Sequence, residues 1–152
     1  MKRSEQRAWL MKIAYQTQLD LDESDSIEQI LIAHELDGKL PYIQKSLESM
    51  LANKDEIDRL IEKNLTNWTL PRLLRIDLAI LRVAVNEMCF TKLAPTGVVI
   101  NESVELAKEY SDENSYRFIN GVLSSISQLQ DQGNENFVES ENRVNDEKDG
   151  QQ

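Results

Sequence analysis

The sequence predicts an all-α fold, and three observations carry that prediction. Glycine and proline are scarce, with five and three copies in 152 residues. That favours helices joined by short connections over turn-rich β architectures. Apolar residues recur at three-, four- and seven-residue steps, the period of helices with one buried face. The length, with 40% hydrophobic and 29% charged residues, suits one domain with a real core.

The elements follow in order. A first helix is expected from Ser4 to Gln18, with Trp9, Leu10, Ile13 and Ala14 on its inner side. Asp25 is placed to cap a second helix, with Glu28 three residues on as in a capping box; Ile27, Ile30, Leu31 and His34 form its inner face. Gly38 and Pro41 mark a boundary. A third helix carries Ile43, Leu47, Met50, Ile57, Ile61 and Leu65 as one stripe. Thr69 is suited to cap a fourth, with Pro71 in the first turn, where a missing N–H costs little. The fourth helix is apolar on two stripes, Leu74, Leu78, Leu81, Val85 and Met88 on one and Ile76, Ile80 and Val83 on the other. It should be buried on most sides and central. Lys92 to Gly97 form a turn. A fifth helix holds Val99, Ile100, Val104, Ala107 and Tyr110, and Asp112 is expected to cap a sixth with Ile119, Val122, Leu123, Ile126 and Leu129. The apolar period ends at Gln130, so the organisation reads as a helical domain over residues 1–130 and a disordered acidic tail over 131–152.

Charge and cysteine content bound the function. A net charge of −10 argues against a general nucleic-acid binder. The charge is polarised: the tail carries seven acids against two bases, whereas Lys2, Arg3, Arg7 and Lys12 in the first twelve residues oppose only Glu5. One cysteine, Cys89, allows no internal disulfide, and a cytoplasmic location fits that. One histidine and one cysteine exclude a zinc cluster of the usual Cys/His kind. No apolar run approaches the ~20 residues that span a membrane, and the N-terminus has no signal-peptide pattern.

No catalytic constellation, metal site or cofactor motif stands out, so no enzyme activity is expected. Cys89 reads as a small buried side chain, His34 as a packing residue, and Glu102, Glu105 and Glu109 as a solvated helix face. Asp77 and Arg82 interrupt the apolar pattern of the central helix and need partners there, as an ion pair or as caps for neighbouring helix ends. Gly121 inside the sixth helix suggests close helix–helix contact. Asn120 beside it has two uses open to it, a backbone hydrogen bond or a ligand contact. The basic start has two readings as well: an ordinary solvated N-terminus, or a surface on which Arg3, Arg7 and Lys12 neutralise phosphates while Tyr15 stacks on an unpaired base.

The stretch from Trp68 to Leu123 resembles the NusB family of bacterial transcription antitermination factors. The matching residues are Trp68, Arg72-Leu73, Asp77, Ile80-Leu81-Arg82, Glu87, Ile100-Asn101-Glu102, Glu105-Leu106-Ala107-Lys108 and Phe118-Ile119-Asn120-Gly121-Val122-Leu123. The resemblance spans roughly residues 3 to 128. It implies a compact domain of about six or more helices in two subdomains. It also implies a factor that binds the single-stranded boxA element of ribosomal-RNA leader transcripts together with NusE, a small-subunit ribosomal protein, in the transcription elongation complex. Lys2, Arg3 and Arg7 match the family's basic N-terminal segment in part, with Ser4, Glu5 and Gln6 where relatives often carry more bases. Tyr15 matches an aromatic near the end of the first helix, and Arg117 and Phe118 a basic–aromatic step before Asn120-Gly121. Glu87, on the middle helices, becomes a candidate contact for NusE. Two alternatives are an isolated RNA-binding module of the kind fused to rRNA cytosine methyltransferases, and a helical protein-interaction scaffold, such as a homodimer, without RNA binding.

Overall fold

The computed structural model describes the chain except residues 22–25, 37–39 and 150–152, and along 133–149 it describes the backbone alone. Seven α-helices are present among the described residues, with no strand: α1 Arg3–Thr17, α2 Ile27–Ala33, α3 Pro41–Ala52, α4 Lys54–Lys63, α5 Arg75–Asn86, α6 Thr96–Tyr110 and α7 Ser115–Asp149. A 3-10 turn at Leu70–Arg72 precedes α5, and a π-helical turn at Glu87–Thr91 follows it.

Helix α5 is the hub, as its two apolar stripes predict. Every residue from Asp77 to Asn86 is buried. Helices α1, α3 and α4 pack on it as one group and the paired α6 and α7 as another; α2 joins the first group through α3. Both groups share one apolar core, in which Leu10, Ile43, Leu47, Ile57, Leu81 and Leu123 are fully enclosed.

Several local expectations are corrected. Asp25 lies outside the described residues, and the cap of α2 is Ser26. Its hydroxyl accepts from the Gln29 N–H, while the Gln29 side chain accepts from the Ser26 N–H. Gly38 also lies outside them. The single third helix is two. The chain breaks at Asn53, whose backbone leaves the helical region at φ −115° and ψ 16° and whose side-chain amide joins its own N–H on the Ser49 carbonyl. Thr69 caps nothing with its side chain; α5 begins six residues later. Leu74 therefore lies outside α5 and is exposed, as Leu129 is on α7. The core-facing stripe of α7 stops at Ile126, just short of the boundary expected near Gln130.

The charges inside α5 act as ties. Arg82 donates through Nε and Nη2 to both carboxylate oxygens of Asp58 on α4, at 2.9 and 3.0 Å, and through Nη1 to the Gln18 carbonyl at the end of α1. A guanidinium there also complements the negative end of the α1 dipole. His34 is held by the Ile30 carbonyl, the Gln16 carboxamide and an edge contact with Trp9.

Gly121 departs from expectation. An added Cβ would meet nothing within 4 Å, so helix packing does not require glycine at this position.

Candidate functional site

Helix α1 lays its cations on aromatic rings. The Arg3 guanidinium sits 4.1 Å from the centre of the Tyr42 ring, and Lys12 Nζ sits 4.8 Å from Trp9 and 5.4 Å from Tyr110 on α6. Tyr15 is 40% exposed, with Arg75 5.3 Å from its ring. Lys2 is exposed just before α1. Arg3, Lys12 and Tyr15 thus share one helix with Lys2 at its start, and all four stay accessible in whole or part. Trp9, Tyr110 and Arg75 join them from positions that sequence reasoning passed over. Periodicity assigned Trp9 and Tyr110 to the core, and Arg75 lies at a helix start with no local signal.

Two expected site residues are corrected. Arg7 is 4% exposed and Glu87 1%. Arg7 donates through Nε and Nη2 to the two oxygens of Glu87, at 3.1 and 2.8 Å, and the Tyr42 hydroxyl donates to the same carboxylate. Arg7 is therefore not a surface cation for phosphate, and Glu87 is not a surface acid for a partner. Each neutralises the other inside the junction of α1, α3 and the π-turn. Burial and the bond to Glu87 push the Tyr42 phenol above its ordinary pKa. Burial works against the charge on Arg7, but the bond to Glu87 and the surrounding charges leave its pKa raised.

The opening of α7 splits its candidates between two grooves. Arg117 and Asn120 are exposed on a groove between α6 and α7. Phe118, about 100° further round the helix, lines a separate cleft of about 670 Å³ with Trp68, Leu73 and Leu74. Trp68 is 51% exposed there. Asp112 and Glu113 add acid to that cleft, and Arg72 a single base. The structure thus does not join Arg117 and Phe118 in one pocket.

Asp77 lies at the floor of the Trp68 cleft and is buried. Ser111 donates to Oδ1 at 2.5 Å and Ser115 to Oδ2 at 3.0 Å, tying α5 to the start of α7. Burial raises the Asp77 pKa, the two serine bonds lower it, and the net shift is upward. A carboxyl with a raised folded-state pKa contributes stability that is fully present below its unfolded pKa, about 3.9, and lost as pH rises through the folded value. Asp77→Asn removes the charge but keeps an acceptor. The variant's stability relative to the parent is expected to be highest at pH 7 and to decline on acidification. Urea denaturation of both proteins at pH 7 and near pH 4 checks the sign; a gap independent of pH contradicts it.

Fold and surface together define a class: an all-helical recognition domain that sets cations on aromatic rings along one helical flank. Comparison with known proteins makes it specific. The family model described as "NusB family" matches residues 4–128. The transcription antitermination protein NusB of Listeria welshimeri is 42% identical over 126 residues, covering 83% of this chain and 96% of the relative. Its Bacillus subtilis counterpart is 38% identical over 115 residues, covering 74% and 88%. Among solved structures, T. maritima NusB superposes with a TM-score of 0.73 at 32% identity, covering 84% of this chain and 92% of that one. NusB in a complex of the antitermination factors NusB and NusE with double-stranded RNA gives 0.71 at 28%, covering 85% and 99%. This chain belongs to the NusB family. No helix among the described residues is long and apolar enough to cross a membrane.

Proposed function

We propose that this chain is a transcription antitermination factor that binds boxA-type single-stranded RNA together with a NusE-like ribosomal protein, acting on the elongation complex in the cytoplasm. Its task is recognition, not bond chemistry. The observation that carries the reading is the set of accessible or partly accessible cations paired with aromatic rings, Arg3 on Tyr42, Lys12 on Trp9 and Tyr110, and Arg75 on Tyr15, on a chain whose net charge is −10. Cations gathered along this flank supply phosphate contacts, and the adjacent rings supply stacking platforms. The acidic remainder suits a basic protein partner, since opposite potentials speed and orient encounter. With Glu87 buried, the partner contact moves to the Trp68 cleft, where exposed Trp68 and Leu74 offer apolar anchors beside Asp112 and Glu113. That a solved relative was caught with NusE and double-stranded RNA supports RNA and a NusE-like protein as partners.

Fluorescence titration of boxA-type RNA across salt concentrations tests the reading. Binding by this chain alone is expected to be weak, and clearly tighter with the NusE-like partner present. Arg3→Ala should weaken binding and flatten its salt dependence by about 0.7 in log–log slope for each lost phosphate contact to a single strand. Tyr15→Ala should weaken it with little change of slope, because stacking releases few counterions. Absent binding with the partner present, or mutants indistinguishable from the parent, would replace this reading with a protein-interaction scaffold or homodimer.

A further inference from the structure

We propose that residues 131–152 are an internal competitor for RNA: this acidic segment lies back across the end of the helical bundle onto Lys2 and Arg3 and must leave them before RNA binds. The inference rests on the RNA reading above and adds a means of regulating the same surface.

The topology brings the two segments to one end of the molecule. Arg7, near the start of α1, meets Glu87 just past the end of α5, while the Gln18 carbonyl at the end of α1 meets Arg82 earlier in α5. The two helices are therefore antiparallel. Ser115, which opens α7, meets Asp77 in the first turn of α5, and Gln130 donates to the Met88 carbonyl in the π-turn beyond α5. Helix α7 thus runs parallel to α5 and antiparallel to α1, and its chain leaves the core at the end of the bundle where Lys2 and Arg3 begin α1. Met88 is the neighbour of Glu87, which holds Arg7 and Tyr42, and the Arg3 guanidinium rests on that same Tyr42 ring. Crossing the bundle end takes about two helix diameters, roughly 20 Å, a span that about six extended residues cover. Glu135, Glu139 and Glu141 lie near and just beyond that reach from Gln130.

Charge decides what the segment meets. Residues 131–152 carry seven acids against two bases. Lys2, Arg3 and Lys12 are the cations that the start of the chain keeps accessible in whole or part, since Arg7 is neutralised by Glu87. Opposite charges tethered on one chain meet at an effective concentration on the order of millimolar, so even loose contacts are populated. Carboxylates and RNA phosphates make the same demand on these cations, and occupancy by one excludes the other. The segment's own composition does not resist the move. Phe137, Val138 and Val144 are its only aliphatic or aromatic residues, and Gly133 stands near its start. A helix over such residues has no apolar face to bury and is marginal in water.

The segment also lies beyond what relatives share. The family match ends at residue 128, and 126 residues of this chain cover 96% of the Listeria welshimeri relative. The recognition surface is common to both chains; the acidic segment has no room in that relative.

The test uses the full chain with its NusE-like partner and a fluorescent boxA-type RNA. Glu135→Gln, Glu139→Gln and Glu141→Gln together should tighten RNA binding about fivefold, the factor for a competitor that occupies the cations about four-fifths of the time. Asp55→Asn, Glu56→Gln and Glu62→Gln remove the same charge from three exposed acids on α4. That control should change affinity by less than about twofold, because distant exposed charges are screened. In an Arg3→Ala background the gain from the tail substitutions should shrink, since competitor and RNA have lost the same cation. Without RNA, the backbone amide signals of Lys2 and Arg3 should shift between the parent and the tail variant and stay in place in the α4 control. Unchanged affinity in the tail variant, with both proteins binding RNA, would overturn the competitor and leave the RNA-binding function standing. An equal gain in the α4 control would overturn it in favour of overall charge. Weaker partner binding by the tail variant, with no gain for RNA, would overturn it in favour of a tether for the basic protein. Failure of both parent and tail variant to bind RNA with the partner present would overturn the competitor together with the function, a result separable from the others.

Discussion

Arg7→Ala is expected to destabilise the protein by about 3–5 kcal/mol, the usual consequence of removing one member of a buried ion pair. The size follows from what is left behind. Glu87 is 1% exposed and would retain only the Tyr42 hydroxyl as a side-chain hydrogen-bond donor among the described residues. An isolated buried carboxylate resists ionisation, so its pKa rises. By the linkage rule, the mutant's loss should be greatest at neutral pH and should shrink on acidification as Glu87 takes a proton. Replacing both partners with apolar residues of similar volume, Arg7→Met with Glu87→Leu, should recover most of the stability, since burying an ion pair is often no better than burying hydrocarbon. Urea denaturation at two pH values across this cycle checks the prediction. A pH-independent loss in Arg7→Ala, or a double mutant as unstable as the single ones, would mean the pair is not enclosed as described.

The same cycle separates placement from contact in RNA binding. Arg7 holds the middle of α1 against the π-turn, and Arg3, one turn earlier, rests on the Tyr42 ring that completes the Arg7–Glu87 cluster. A folded double mutant with near-parental RNA affinity fits a cation that supports the fold. An Arg3→Ala protein with parental stability and reduced affinity fits a cation that meets the ligand.

How much of this was legible in the sequence depended on the range of the interaction. The helical class, the centrality of α5 and the need of Asp77 and Arg82 for partners all follow from local period and composition, and the structure has them. The break at Asn53 was not legible, because Met50, Ile57 and Ile61 keep one apolar stripe across it. The break lies in the backbone angles of one residue, Asn53, which no change in hydropathy marks. The Arg7–Glu87 pair spans 80 positions. An arginine in a basic cluster and a glutamate on a middle helix look like surface residues until the chain folds and brings them together. Arg117 and Phe118 show another limit. Adjacent in sequence, they read as one motif, but a helix turns about 100° per residue and sends them to separate grooves. Gly121 looked like a packing residue because glycine is common at helix crossings. Only the three-dimensional surroundings show that the space beside it is open.

Leu81→Ala is expected to cost about 2–5 kcal/mol, a large share of the roughly 5–15 kcal/mol that holds a domain together. Leu81 is fully buried in α5, the helix on which α1, α3, α4, α6 and α7 all pack. Deleting its side chain loses the transfer free energy of the removed carbons. It also opens a cavity that neighbours fixed from several directions cannot close. Leu74 is the informative contrast. Hydropathy alone puts it on the same stripe, yet it is 45% exposed beside Trp68. Leu74→Ala should therefore change stability by no more than about 0.5 kcal/mol, as at an ordinary surface position. As a wall of the proposed partner cleft, it should instead weaken association with the NusE-like protein. Denaturant unfolding measures the first difference, with an unchanged m value as the sign that only the native state was perturbed, and partner titration measures the second. Equal stability losses at the two leucines would put Leu74 back in the core and remove the apolar anchor from the cleft. A mild effect at Leu81 would mean that the central helix is not held from all sides.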